Sequence, residues 1–557
     1  MAASKFLPGV GVLRAYRKSW LRGDLLAGLT VAAYLVPQVM AYAGLAGLPP
    51  VAGLWAILPP LVLYAVLGSS RHLSVGPEST TALMTAAVVG PLAAGDPARY
   101  AGLAAALAVV VGVLFLVAFV ARLGFVADLL SRPILVGYLA GVALTMVSGQ
   151  LGKLTGVRVG GDTVLGELAS FVTRLGQVHV ATALLGLAVL ALLFLGQWRF
   201  PRLPVPLVVV LLATVAVLVL DLRSHGVAVV GEVPRGVPGP ALPDLSEAAS
   251  LLLPAVGVLV VGYTDTVLTA RAFAGRSGDA VDANQELLAL GVANLGAGLL
   301  RGFPISSSGS RTALGVASGA RTQMYSLFAL LCVVAVLLFA GPALALFPAA
   351  ALGALVVYAA IRLVDIAGFR RLAAFRRTEL LLALAALAGV VVFDILTGVL
   401  LAVGLSVADM LHRVARPHDA VLGIVPGLAG MHDVDDFPAA RTVPGLLIYR
   451  YDSPLFFANA ENFRQRALAA VADEREPVRW FVLNAEANVE VDSTGLDALD
   501  RLRAELTGRG IVFGLARVKQ DLQAQLDAYG LTASIGPDHI YPTLPTAVRA
   551  YQRSTGT

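Results

Sequence analysis

The sequence predicts a polytopic α-helical membrane protein of fourteen transmembrane segments, followed by a small soluble α/β domain. Hydrophobic residues make up 57% of the 557 residues and charged residues only 14%, whereas a soluble chain carries about 25% charged residues. Apolar runs long enough to cross a bilayer recur from Leu25 to about residue 413. After Arg441, strand-like runs alternate with charged, helix-period stretches, which is typical of an α/β domain.

The first 23 residues are polar and basic and lack the apolar core of a cleavable signal peptide, so we expect them to stay in the cytoplasm. Residues 24–414 form the predicted transmembrane domain, residues 415–440 a linker, and residues 441–557 the α/β domain. The predicted spans are 26–46, 52–68, 78–94, 100–120, 124–150, 181–197, 205–221, 249–270, 284–300, 308–318, 323–341, 344–363, 379–395 and 397–413.

An even number of spans places both termini on the cytoplasmic side of the inner (plasma) membrane. The basic residues agree with this topology, because the loop after the twelfth span is rich in arginine while several opposite-side turns are uncharged. The arginines of that loop are Arg362, Arg370, Arg371, Arg376 and Arg377. The formal net charge of +5 is modest. We interpret the basic residues as orienting the chain in lipid, and we expect no nucleic-acid partner.

Sequence motifs for enzyme chemistry are absent, since GxxxxGK[ST], HExxH and GxSxG do not occur. The single cysteine, Cys332, lies in an apolar run and cannot form an internal disulfide or a cysteine-based metal site. We therefore predict no enzyme activity, no metal site and no cofactor apart from a coupling H⁺ or Na⁺.

Two segments interrupt the membrane pattern in similar ways. In residues 69–84, the extended run at 73–75 leads into Gly-Pro and a polar helix start. In residues 301–315, the extended run at 303–305 leads into SSSGSR. Both predict a short strand followed by the N-terminus of a half-helix. They are the third and tenth elements of fourteen, which are matching positions in two halves of seven.

Two half-helices that start at the bilayer midplane aim their positive dipole ends and free N–H groups at one point. Serine hydroxyls add further donors, and Arg311 adds a permanent positive charge. The sequence therefore predicts a binding site for a small anion between the half-helices. The alternative is that these breaks are packing motifs or ordinary loops.

The eighth span contains one carboxylate, Asp265, with Thr269 one turn later. A carboxylate inside a membrane span is costly and marks a functional candidate. Near an anion site it predicts binding of H⁺ or Na⁺, which would couple anion movement to a cation gradient. The alternative is a structural partner for an arginine such as Arg311. Glu78 is a second proton-carrier candidate, or simply a helix cap.

The stretches LSVGPES and FPISSSGSR, the first span and the closing α/β domain together resemble the SulP family of anion transporters, in the same order and over nearly the whole chain. The resemblance implies two inverted seven-helix repeats that form a core domain and a gate domain, with the substrate between the third and tenth helices. It also implies a C-terminal STAS domain and commonly a homodimer. We therefore expect secondary active transport by alternating access.

Matching positions of the family's substrate site are Gln38, Gly76, Pro77, Glu78, Ser79, Ser308, Gly309, Ser310 and Arg311. Asp265 and Thr269 match positions that hold sodium in bicarbonate-carrying relatives. This sequence has SSSGSR where those relatives have a Gly/Ala/Thr-rich run, so we expect proton coupling rather than sodium coupling. The prokaryotic branch that it most resembles is called sulfate permease. Sulfate is therefore the expected substrate, with bicarbonate or a dicarboxylate as alternatives.

The α/β domain contains VEVDSTGLDALDRL, which looks like the STAS signature. Asp492 or Ser493 is positioned to cap the following helix, and a hydroxyl of this loop, on Ser493 or Thr494, is phosphorylated in related anti-sigma-factor antagonists. The alternative is an unmodified cap. Rival functions are a nucleobase permease, a channel and a membrane-bound sensor that signals through the STAS domain. The arginine and serines of the tenth segment favour an anion transporter.

Overall fold

The computed structural model describes residues 7–128, 131–161, 163–200, 203–277, 281–393 and 395–556. The chain divides into two compact units, Met1–Ser406 and Val407–Thr557. We call the first the membrane unit and the second the C-terminal unit. The membrane unit is almost entirely helical, and the C-terminal unit is built on a six-stranded sheet. Separate clusters of buried apolar side chains form their cores.

The membrane unit contains, in chain order, α1 Pro8–Arg14, α2 Leu21–Leu45, α3 Val51–Leu67, β1 Val75–Gly76, α4 Ser79–Ala93, α5 Pro97–Val120, α6 Arg132–Ser148, α7 Leu151–Thr155, α8 Val164–Thr173, α9 Val180–Arg199, α10 Val205–Val219, α11 Ala248–Ser277, α12 Ala283–Leu299, β2 Ser306–Ser307, α13 Gly309–Ala317, α14 Met324–Phe339, α15 Gly341–Leu344, α16 Ala349–Leu363, α17 Ile366–Phe375 and α18 Arg377–Val392, and is followed by α19 Ile395–Ala415. Short 3₁₀ turns lie at Lys18–Trp20, Leu123–Asp128 and Leu175–Gln177.

Each of the fourteen predicted spans overlaps one of these helices. Among the described residues, six helical stretches are long and apolar enough to cross a membrane. The two broken segments give the shorter helices α4, with 15 residues, and α13, with 9 residues. The number of membrane crossings therefore stays a prediction, since length alone does not decide it for the shorter helices. The first span begins at Leu21, slightly before the predicted boundary at residue 24.

Glycines bring the long helices of the membrane unit close together. A Cβ atom on Gly298 of α12 would lie 2.7 Å from the carbonyl oxygen of Ala105 on α5. A Cβ atom on Gly137 of α6 would lie 1.8 Å from the carbonyl oxygen of Ala383 on α18. No side chain fits at either crossing, which is the close backbone approach that small residues permit between membrane helices.

The arginine-rich stretch after the twelfth span is a helix, α17, where the sequence pattern predicted a loop. Asp365 caps this helix, and its Oδ1 atom accepts a hydrogen bond of 2.7 Å from the backbone N–H of Gly368. Arginine is a good helix former. The prediction was wrong because the high charge of the stretch concealed a helix that is too short to show a clear period.

The C-terminal unit contains β3 Asp419–Ile424, β4 Met431–Asp433, β5 Leu446–Tyr451, α20 Ala460–Asp473, β6 Trp480–Asn484, α21 Ser493–Gly508, β7 Val512–Ala516, α22 Gln520–Ala528, α23 Leu531–Ile535, β8 Ile540–Tyr541 and α24 Leu544–Thr555. The strand order is β4-β3-β5-β6-β7-β8. Strands β5 to β8 are parallel, and β3 and β4 join them antiparallel at one edge. Successive residues of β5, such as Leu447 and Ile448, enter cores on opposite faces of the sheet.

The prediction of a linker over residues 415–440 was wrong. Residues 419–424 and 431–433 are strands of the sheet, and α19 extends to Ala415. Ala420 and Leu422 of β3 are buried in the core on one face of the sheet. The sequence pattern did not indicate these strands because they are short and separated by a glycine-rich turn. The alternation of apolar and polar residues therefore covers only a few positions in each strand.

Candidate functional site

The two broken segments meet in the centre of the membrane unit. Strands β1 and β2 pair antiparallel, with Val75 opposite Ser307 and Gly76 opposite Ser306. The backbone N–H of Ser308 donates to the carbonyl oxygen of Ser74 at 2.8 Å and extends the pairing. Helix α4 follows β1, and helix α13 follows β2. Two helix N-termini therefore start from one small ribbon, as the sequence pattern predicted.

The paired residues lie slightly later in the chain than the extended runs predicted at 73–75 and 303–305. Buried amide side chains hold the backbone on the N-terminal side of each strand. Gln323 donates to the carbonyl oxygens of Ser70 and Leu73 at 3.0 and 2.8 Å. Asn294 accepts from the N–H of Ile305 at 2.9 Å and donates to its carbonyl oxygen at 3.2 Å. The backbone groups just before each strand are thus hydrogen-bonded to side-chain amides and do not take part in the pairing of β1 with β2.

Arg311 is fully buried at the start of α13 and connects the two half-helices. Its Nε atom donates to Ser74 Oγ at 3.2 Å, and its Nη1 atom donates to Gln38 Oε1 at 3.1 Å and to the carbonyl oxygen of Pro77 at 2.9 Å. Within the described residues, no carboxylate lies within ion-pairing distance, 4.0 Å, of this guanidinium. Its Nη2 atom has no hydrogen-bond partner. Arg311 therefore carries a buried positive charge that has no direct ion pair, with the buried Glu78 carboxyl at the start of α4 as the acidic group that acts on it electrostatically.

Two further buried donors near the ribbon have no partner in this structure. They are the hydroxyls of Ser79, the first residue of α4, and of Thr264 on α11. Buried polar atoms in proteins are almost always hydrogen-bonded. Together with the Nη2 atom of Arg311 they are suited to a ligand that accepts hydrogen bonds.

The remaining residues predicted for the substrate site lie along the same ribbon. Glu78 caps α4 and accepts a short hydrogen bond from the N–H of Ser79. Ser308 is buried at the N-cap of α13, and its hydroxyl lies 3.2 Å from that of Ser310, which is exposed. A Cβ atom on Gly76 would lie 1.9 Å from Ile57 Cδ1, so a larger residue there would have to displace the buried Ile57 side chain.

Asp265 of α11 faces the second strand of the ribbon. The hydroxyl of Ser307 donates to its Oδ2 atom at 3.4 Å, and the neighbouring Thr266 hydroxyl accepts from the N–H of Ser307 at 3.3 Å. Thr269, one turn further along α11, lies about 4 Å from the position that a Cβ on Gly309 would take. The carboxylate and the threonine thus lie beside the start of α13, where oxygen atoms could hold a small cation or a proton.

A small pocket opens beside Gln38, between α2 and the pair α10 and α16. Its lining residues are Tyr34, Gln38, Ala41, Tyr42, Pro206, Leu355, Tyr358 and Ala359. The amide of Gln38 connects the pocket to Arg311, because its Oε1 atom accepts from the guanidinium while its Nε2 atom donates to Tyr42 at 3.0 Å. The three tyrosines were missed from the sequence. The two on α2, Tyr34 and Tyr42, lie four residues before and four residues after Gln38, a spacing that marks one helix face and could have indicated them.

The STAS signature loop lies in the C-terminal unit. Asp492 caps α21, with Oδ1 accepting from the N–H of Gly495 at 2.8 Å and Oδ2 accepting from the N–H of Phe457 at 2.9 Å. Ser493 and Thr494 are exposed on the first turn of α21. The loop is therefore rigidly held, with both hydroxyl-bearing side chains at the surface.

Residues 21–386 match the model of the sulfate permease family, and residues 437–547 match the model of the STAS domain. This chain belongs to the sulfate permease family. A probable sulfate transporter of Mycobacterium tuberculosis is 59% identical over 556 residues, which cover 99% of each chain. The chloroplastic sulfate transporter 4.1 of Arabidopsis thaliana is 29% identical over 557 residues, which cover 96% of this chain and 81% of the relative. The predicted family and its STAS domain are thereby confirmed.

Solved structures of other transporters have the same fold. The murine solute carrier 26 family member A9 anion transporter, in its inward-facing state, is 23% identical, and the match covers 99% of this chain and 94% of that chain with a TM-score of 0.91. The transmembrane domain of a cyanobacterial bicarbonate transporter is 24% identical, with a TM-score of 0.62 over 70% of this chain and 99% of that chain. This sulfate permease family member therefore has the predicted fold, a multi-pass membrane transporter with a STAS domain.

Proposed function

We propose that this chain transports sulfate by secondary active transport and alternating access, with the anion held between the N-termini of α4 and α13. The observation that carries the proposal is the β1–β2 ribbon, which brings both N-termini to the buried guanidinium of Arg311. Helix N-termini provide free N–H groups and a positive dipole end, and both favour an anion. The relatives named as sulfate transporters support sulfate in particular.

The substrate-binding residues of this proposal lie at the end of β1 and at the starts of α4 and α13, together with the pocket residue Gln38, which contacts Arg311. They are Gln38, Gly76, Pro77, Glu78, Ser79, Ser308, Gly309, Ser310 and Arg311. The unpartnered hydroxyl of Ser79 and the Nη2 atom of Arg311 supply donors for sulfate oxygens. Glycine at 76 and 309 lets the anion approach the backbone, because no Cβ atom stands in the way.

Asp265 is the proposed coupling group, supported by Thr269 and assisted by Glu78. The hydroxyl of Ser307, at 3.4 Å, is a long and weak hydrogen-bond donor to the Asp265 carboxylate. A carboxylate in such a place is readily neutralised by a proton, which offsets the cost of bringing a dianion into the membrane. A proton is favoured over sodium because serines replace the Gly/Ala/Thr-rich run of the bicarbonate-carrying relatives. No other cofactor and no chemical reaction are part of this proposal.

We also propose a setting for the transport cycle. The chain lies in the plasma (inner) membrane with both termini in the cytoplasm, and it acts as a homodimer. Residues 24–414 form the transporter domain, and the STAS domain regulates it through the loop at Asp492, Ser493 and Thr494. Phosphorylation of either exposed hydroxyl would add a dianion at the start of α21 and change what docks there.

Uptake of radiolabelled sulfate into proteoliposomes tests this proposal. An inward proton gradient should drive sulfate accumulation above equilibrium, while a sodium gradient of equal size should not. Selenate should compete with the uptake and uracil should not. Uptake of bicarbonate or a dicarboxylate without sulfate uptake would mean that the site binds that anion and not sulfate. Absence of uptake of every anion would favour the membrane-bound sensor.

The variant Asp265→Asn tests the coupling role in the same vesicles. The amide cannot carry a proton, so sulfate should still equilibrate down its own gradient but should no longer accumulate. The control is Asp365→Asn, because Asp365 lies outside the ribbon and caps α17. Full concentrative uptake by Asp265→Asn would remove Asp265 from the coupling mechanism.

A further inference from the structure

A second arginine stands beside the pocket, on the helix that faces α2. Arg362 lies in the last turn of α16, and its Nη1 atom donates to the hydroxyl of Tyr358 at 2.7 Å. The same guanidinium lies 5.7 Å from the centroid of the Tyr358 ring. The ring of Phe194 packs edge-on against Tyr358 at 5.0 Å between centroids. Tyr358 is therefore held in one orientation at the wall of the pocket.

The exposed guanidinium of Arg362 makes no ion pair with a carboxylate of the described residues. Among the described residues its hydrogen-bond partner is Tyr358, and no acidic side chain lies within 4.0 Å of its guanidinium. The nearby carboxylate of Asp365 is instead 3.6 Å from Arg371 and caps α17. Two guanidiniums without a direct ion pair thus contact residues that line the pocket, Arg311 through Gln38 and Arg362 through Tyr358.

The Tyr358 hydroxyl can transmit this charge into the pocket. A phenol has one proton to donate and lone pairs to accept. Since the oxygen accepts from Arg362, the proton remains available for an acceptor in the pocket. A hydrogen bond from a charged donor polarises the hydroxyl and strengthens the next bond in the chain. Arg362 would therefore act on a bound anion without touching it.

We propose that Arg362, acting through Tyr358, is a specificity-determining residue that makes this site select divalent over monovalent anions. The inference rests on the proposed anion site between α4 and α13 and assigns its preference for charge. A dianion interacts with each guanidinium twice as strongly as a monoanion of the same shape, because Coulomb energy scales with the product of the charges. Removing one positive charge should therefore cost a dianion more than a monoanion.

Calorimetric binding of selenate and perchlorate to the purified full-length protein tests the inference. Both are tetrahedral oxyanions, and they differ in charge. Arg362→Gln should weaken selenate binding about tenfold and perchlorate binding about threefold at most. Arg362→Lys should retain most of the preference because it keeps the charge. Tyr358→Phe should shift the ratio in the same direction as Arg362→Gln, because it removes the hydroxyl but keeps the ring.

The matched control is Arg376→Gln. Arg376 is an exposed arginine beyond α17 whose guanidinium lies over Phe375, 5.3 Å from the ring centroid, away from the pocket lining. It should leave both affinities unchanged. Equal weakening of selenate and perchlorate by Arg362→Gln would reveal a merely structural role and overturn the inference, as would an unchanged ratio or a wild-type protein without preference for selenate.

The binding measurement separates this inference from the proposed transport function. If wild-type protein binds selenate, with a preference that depends on Arg362, but vesicles take up no sulfate, then the transport proposal fails and the charge selection stands. If vesicles accumulate sulfate and the ratio of affinities does not depend on Arg362, then the transport proposal stands and this inference fails.

Discussion

Arg311 combines two tasks that are usually divided between residues. Its guanidinium ties Ser74, Gln38 and Pro77 together and thereby fixes both half-helices, while its charge has no direct ion pair. The planar fork of arginine suits this geometry, because it donates in fixed directions to several acceptors at once. A lysine ammonium would supply the charge but could not span the same three acceptors.

Arg311→Ala should therefore abolish anion binding. Removing one partner of a buried, charge-assisted interaction costs about 2–5 kcal/mol, which weakens binding by roughly thirtyfold to several thousandfold. Arg311→Lys should recover part of the affinity. Calorimetry with selenate measures the loss, and size-exclusion chromatography with thermal unfolding checks that the variant is folded. Wild-type affinity in a folded Arg311→Ala protein would exclude Arg311 from the site.

The charged residues of the site could be predicted from the sequence, but most of its neutral residues could not. Arg311, Asp265 and Glu78 stood out because charge inside an apolar run is costly. Asn294 and Gln323 hold the ribbon ends but are unremarkable in a linear pattern. Asn294 holds the backbone of Ile305, 11 residues later, and Gln323 holds Leu73, 250 residues earlier, and both contacts exist only in the folded protein.

Pairing of β1 with β2 is the central event at the scale of secondary-structure elements. The two strands are separated by more than 200 residues in sequence, with Val75 opposite Ser307. The repeat of a broken pattern in the third and tenth segments was enough to predict that they meet. Short elements were less predictable, since β3, β4 and α17 each lack the length over which a period becomes visible.

Gly76→Ala should disrupt this ribbon. The new Cβ would lie 1.9 Å from Ile57 Cδ1 on a backbone with a φ of 159°, so the buried Ile57 side chain or β1 must shift, at a cost of about 1–3 kcal/mol and with loss of sulfate uptake. Adding Ile57→Val, which deletes that Cδ1 atom, should restore part of the uptake. Thermal unfolding and vesicle uptake provide the readouts.

Gly90→Ala is the control for that substitution. Gly90 lies within α4, and a Cβ there would meet no atom within 4 Å, so uptake and stability should stay near wild-type values. If Gly76→Ala behaves like Gly90→Ala, the close approach of β1 to Ile57 has no part in building the site.

At the scale of the whole molecule, the chain combines two units with separate cores. The buried cluster of the membrane unit extends to Ala402, whereas the clusters of the C-terminal unit begin at Ala420. The change in composition predicted this division, because apolar runs and alternating α/β patterns differ over many residues. The start of the α/β domain was predicted at residue 441, after the first two strands of the sheet, because the sequence of these strands resembles a polar connection.

The C-terminal unit should therefore fold alone only when it includes β3 and β4. A fragment of residues 416–557 should be soluble and unfold cooperatively, because its cores contain no side chain of the membrane unit. A fragment of residues 441–557 lacks the strand that pairs with β5 from Asp419 to Val421 and that buries Ala420 and Leu422. It should lose about 3 kcal/mol or more, and its bare β5 edge should promote aggregation.

Urea unfolding followed by circular dichroism, with light scattering for aggregation, compares the two fragments. The longer fragment should show a single transition at a higher midpoint, and the shorter one, if it folds at all, should show a shallower slope because it exposes less surface on unfolding. Equal midpoints would mean that β3 and β4 do not contribute to the stability of the sheet, and the domain boundary would then lie at residue 441. A lower midpoint for the shorter fragment means that the sheet of this STAS domain begins at Asp419, within the stretch that resembles a linker.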